Sequence, residues 1–94
     1  METNTLTEKH LGVLGGWTKY RKLNDEDLAV WEATPKPIGV NYAPYEVASQ
    51  VVSGMNYKFK TVASIPHADV EWPAIVEIYK PLDEPPYITG ITRL

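Results

Sequence analysis

The chain predicts an α+β protein, with one helix laid across an antiparallel sheet of four or five strands. Three observations lead there. A single acid-capped helical segment starts at Asn24 and is closed by Pro35 and Pro37. Everything after Val40 is rich in aromatic and β-branched residues. Turn signals at Ser53-Gly54, Pro66-His67-Ala68-Asp69 and Pro85-Pro86 cut that stretch into successive runs.

The helix comes first. Asn24 is a good N-cap, and Asp25, Glu26 and Asp27 suit the positive end of the helix dipole. Leu28 and Trp31, with Leu23 and Ala29, supply the apolar stripe. The prolines stop the helix near Thr34, after about three turns. Trp31 is the expected core anchor.

Four strands follow. Tyr42 to Val52 is the first, with Pro44 implying a bulge or an edge position. Met55 to Ala63 alternates: Met55, Tyr57 and Phe59 face one way, Asn56, Lys58 and Lys60 the other. In the third run Ala74, Val76 and Ile78 oppose Ile75, Glu77 and Tyr79. Trp72, before Pro73, falls at its start. Tyr87 to Leu94 is the last strand. Residues 1–12 bury little and read as a flexible tail; residues 13–94 form a single domain.

Composition narrows the function classes. The 94 residues include no cysteine and two histidines, so neither a disulfide staple nor a Cys/His zinc site is available. An apolar content of 44% supports a packed core without such help. A net charge of −3, with no basic run longer than Arg21-Lys22, argues against nucleic acid as a partner. No segment approaches the ~20 apolar residues that span a bilayer, so no membrane role is expected. The polar start, Met1 to His10, lacks a signal core, and no Asn-x-Ser/Thr site occurs. A cytoplasmic protein is expected; a mature secreted chain would look similar.

Side chains that could perform chemistry are sparse. Covalent catalysis needs a nucleophile held against a base. A serine-histidine-acid arrangement would have to combine Ser49, Ser53 or Ser64 with His67, and no nucleophile elbow accompanies them. The ordinary reading of His67 is a solvated turn residue. Asp25, Glu26 and Asp27 are capping charges, and Asp83-Glu84 is a solvated hairpin tip. Gly15-Gly16 lacks the spacing and the lysine of a phosphate loop. We expect no enzyme, no cofactor and no metal.

The turns remain, and loops on a stiff scaffold are where binding tends to sit. In Gln50-Val51-Val52-Ser53-Gly54 the valines hold extended backbone, and Gly54 permits a tight turn that exposes main chain. Upstream, Val13-Leu14-Gly15-Gly16-Trp17 is an apolar patch broken by two glycines. Downstream stands Lys80-Pro81-Leu82. In this order, in a short cysteine-free chain, the three segments resemble the contact segments of the cystatins, which inhibit papain-like cysteine proteases. The first fits the family pattern Q-x-V-x-G at every fixed position. Val13-Leu14-Gly15-Gly16 resembles the N-terminal motif of two apolar residues before a glycine pair. Pro81-Leu82 stands where many cystatins carry Pro-Trp. The stefins, the intracellular branch, lack that tryptophan and the disulfides, so the likeness is to them.

The resemblance implies a cystatin-like sheet wrapped around the helix. It also implies a reversible competitive inhibitor whose N-terminal segment and two hairpin loops form a wedge in the cleft of a cathepsin-type protease. Val13 and Leu14 would fill the unprimed pockets. Gly15 would pass the catalytic centre, with Gly16 beside it in the protease-binding segment. Main chain from Val51, Val52, Ser53 and Gly54 would abut that centre, with Gln50 heading the same protease-binding segment, and Pro81 and Leu82 would add apolar contact. Trp17 fits either the core or the wedge's edge. The alternative is a cystatin-fold binding module that inhibits no protease. A monomer is expected, with hairpin exchange as a route to a domain-swapped dimer.

Overall fold

The computed structural model describes residues 15–94. Helix α1 spans Asp25–Ala33, and four strands follow: β1 Asn41–Val52, β2 Gly54–Ser64, β3 Glu71–Lys80 and β4 Tyr87–Arg93. The sheet order is β1-β2-β3-β4, every neighbour antiparallel. Short turns between consecutive strands make this the simplest antiparallel topology, a meander. The result is α+β, as expected. Residues 15–21 add a partial fifth run along the free edge of β1. Trp17 bridges Gln50, and Arg21 bridges Val47.

The core lies between α1 and one face of the sheet. Trp31 packs on Phe59 with ring centroids 5.0 Å apart, and Tyr57 stacks beside Phe59. Val47, Val76 and Ile78 complete the buried cluster. These are the inward phases expected for β2 and β3. Each such side chain contributes roughly 1.5–3 kcal/mol by leaving water.

The helix stripe differs from expectation. Leu28 is 42% exposed and Ala29 is exposed. The buried line is Asp27, Trp31 and Thr34, spaced i, i+4, i+7, with Leu23 and Val30 at its margins. Asp27 can turn inward because its carboxylate is fully engaged. It accepts from the Asn24 backbone at 2.9 Å, while the Asn24 side chain accepts from the Asp27 backbone at 2.8 Å, a reciprocal capping box. Arg21 grips the same carboxylate through both terminal nitrogens, at 2.5 and 3.2 Å, and also reaches Ser49 Oγ. One acid therefore joins the edge segment to the helix start. At the other end Thr34 Oγ1 donates to Val30 O, and the Lys36 ammonium donates to Trp31 O and lies over its ring. Desolvation lowers the Lys36 pKa, and Glu32 acts against that shift.

Pro44 behaves as expected. The β1–β2 register slips between Pro44 and Glu46, leaving Tyr45 as the extra residue of a bulge. β3 begins three residues before Ala74, so Pro73 sits inside it. Pro73 is tolerated because β4 starts pairing only at Ala74, while Leu94 donates to the Pro73 carbonyl. Among the described residues no helix is long and apolar enough to cross a membrane.

Candidate functional site

The β1–β2 turn, the residues after β3 and the start of the described chain meet at one end of the sheet. The β2–β3 register places Met55 opposite Lys80, so the Ser53 turn and the Pro81 loop emerge side by side. The Gly15 N–H donates to the Val51 carbonyl at 3.0 Å, and the Gln50 side chain donates to the Gly15 carbonyl at 2.8 Å. Sequence distance is large here, yet the three segments are neighbours.

The predicted residues from Gly15 onward each have a definite place. Gly15 is exposed, with φ of +84° and nothing within 4 Å of where a Cβ would stand. Gly16 is exposed beside it. Ser53 is the exposed apex, with Val51 and Val52 half-buried before it. Leu82 is 71% exposed, and Pro81 is half-buried. Val13 and Leu14 lie outside the described residues, as does the expected tail over 1–12.

One expectation needs correction. Gly54 does not expose its main chain: it is buried against the end of β3. A Cβ there would stand 2.3 Å from the Lys80 carbonyl oxygen and 3.1 Å from Pro81 Cα, and its φ is +100°. Glycine is required at this position by a close backbone approach as well as by the turn. The Gln50 side chain is tied within the molecule. Its amide donates to Gly15 and its carbonyl accepts from Asn56 Nδ2 at 2.8 Å. Both ends of the side chain are used inside the molecule, making it a strut between two of the segments.

The gap between the two loops is an open hollow of about 370 Å³, lined by Val51, Val52, Gly54, Met55, Lys80, Pro81 and Leu82. Its walls are largely apolar. A second, smaller hollow of about 180 Å³ opens where the helix starts, among Arg21, Asn24, Asp27, Ser49 and Tyr57. Burial, then the carboxylates of Asp27 and Glu26, push the Tyr57 hydroxyl up to about 12, with Arg21 opposing. His67 lies in the β2–β3 loop, exposed and with φ of +65°. Among the described residues no group of three or more metal-ligating side chains comes together.

Trp17 is 40% exposed and outside the core. Its ring lies under the Lys58 ammonium at 4.3 Å, on the face of the sheet away from the helix. Tyr20 and Lys60 repeat the arrangement at 4.3 Å. Trp72 pairs with Ala63, at the end of the sheet opposite Ser53.

Sequence reasoning missed Tyr79 and Asn56 as site residues. Alternation placed both on the outward phase of their strands. Only the register, which sets Asn56 opposite Tyr79, brings them beneath the loops. The Tyr79 hydroxyl donates to the Ser53 carbonyl at the apex of the turn. Comparison with protein-family models, with curated proteins and with solved structures finds no match for this chain.

Proposed function

We propose that this chain is a stefin-like member of the cystatin superfamily, a reversible competitive inhibitor of papain-like cysteine proteases. The observation that carries the proposal is the adjacency of Gly15, the Val51–Gly54 turn and the Pro81-Leu82 loop at one end of a rigid sheet. The motifs that resemble cystatin contact segments are the ones that meet there. Inhibition is steric. The three segments occupy the cleft of a cathepsin-type protease, and the chain performs no chemistry of its own. Val13 and Leu14, preceding Gly15, enter the unprimed pockets. Leu82 adds apolar contact on the other side. The protein acts as a monomer in the cytosol.

Titration of active papain tests the proposal. Residual activity should fall to near zero at a fixed stoichiometry. Papain left fully active at micromolar protein would sink it. That result would favour a second reading, a binding module of the same fold without inhibition. Leu82, standing where many cystatins carry tryptophan, is the observation on its side. Aromatic anchors dominate many interfaces, and losing one often costs about 2 kcal/mol or more.

A further inference from the structure

We infer that Tyr79 is a positioning residue that holds the first binding loop in its docking geometry; the inference rests on the proposed protease inhibition. Ser53 is the exposed apex of the β1–β2 turn, and its carbonyl accepts from the Tyr79 hydroxyl. Tyr79 is the penultimate residue of β3, so its ring stands on the sheet rather than on a loop. The ring packs edge-on against Tyr87 of β4, centroids 5.8 Å apart and planes at 85°. The hydroxyl is thus presented by two strands. It fixes a carbonyl that has no strand neighbour, because Val52 pairs directly with Gly54 across the turn. Gly54 seated against Lys80 and Pro81 supplies a second contact between the same two segments.

The consequence concerns preorganisation. A turn free to sample several poses meets a cleft in the right one for only a fraction of the time, and apparent affinity falls by that fraction. Tying the apex to the sheet removes that loss before any partner arrives. Tyr79 need not touch the protease to matter. It acts through Ser53, and through Ser53 it aligns the turn with the Pro81-Leu82 loop.

Tyr79→Phe isolates the hydroxyl and keeps the ring against Tyr87. Three measurements on the full chain decide the matter. Amide hydrogen exchange in the free protein should quicken at Ser53, Gly54 and Met55, with Phe59 and Val76 unchanged. The melting temperature should stay near the parent's. The association rate with papain should fall about two- to tenfold, the range of a single hydrogen bond, with the dissociation rate little altered. Parent-like exchange at the three turn amides would overturn the tie itself. Faster exchange with unaltered association would overturn its part in binding. A parent chain that never inhibits papain overturns the proposed function, and the exchange measurement on Tyr79→Phe distinguishes that failure from the loss of the tie.

Discussion

Five residues, two of them glycines, carry most of the discriminating physics at the residue scale. Gly54 and Gly15 look alike in sequence and share a positive φ, yet their surroundings differ. Gly54→Ala must displace the Lys80 carbonyl, 2.3 Å from the new methyl, and adopt a left-handed backbone that alone costs about 1–2 kcal/mol. Urea denaturation should show a loss of more than about 2 kcal/mol. Gly15→Glu meets open space, so its cost to folding is that same backbone term or less. Its inhibition should collapse, since the bulky acid would stand in the wedge; inhibition equal to the parent's would remove Gly15 from the site. Leu82→Trp enlarges an exposed side chain. It should leave melting unchanged and hold or tighten papain binding, and a large loss would mean that Leu82 is not the anchor position. Tyr57 sets an alkaline limit. Its ordinary pKa is 10.0 and its folded value is about 12, so the folded state holds the proton while the unfolded state releases it. Stability from this group is complete below about pH 10 and is lost as pH rises toward 12. Lys36, with its pKa lowered, works in the opposite sense. Thermal melts from pH 8 to 11.5 should fall more steeply for the parent than for Tyr57→Phe.

The helix is the vulnerable element. It has nine residues, fewer than an isolated helix needs to persist in water, so tertiary contacts sustain it. Asp27 is its keystone, shared between the capping box and Arg21. Asp27→Ala should cost about 3 kcal/mol, because it removes the half of the capping box that accepts from the Asn24 N–H and takes the carboxylate away from the Arg21 guanidinium. Loss of helical circular dichroism together with release of the 15–21 segment, read by exchange at Arg21, checks it. Helix position and ends were legible: Asn24, the acids and Pro35 sufficed. Its buried face was not. Leu28 fits an apolar spacing, but whether an acid turns inward depends on an arginine that only folding delivers. β2 and β3 were legible in phase, because alternation is a local property of the chain. The bulge at Pro44 followed from a missing N–H.

The whole molecule is a stiff sheet whose one end gathers three distant stretches of chain. Gln50 and Asn56 join the N-terminal stretch to the first turn, and Tyr79 joins that turn to the second loop. The core lies farther along the sheet, around Phe59, Val76 and Ile78. Stability and binding should therefore separate. Phe59→Ala should cost about 3–5 kcal/mol of stability. At temperatures well below its melting point it should inhibit papain as the parent does, provided enough of the chain remains folded. An equal loss of inhibition in the folded fraction would show that the end is not independent of the core.

By itself the sequence determined the class of fold, the helix ends, the phases of β2 and β3 and the three stretches worth watching. All of these follow from local patterns: capping groups, alternation, prolines and glycines. The tertiary structure decided which stretches touch. It buried Gly54 and turned Gln50 into a strut. It also set Tyr79 beneath Ser53. Those outcomes depend on strand register, and register is settled by packing between residues far apart in the chain.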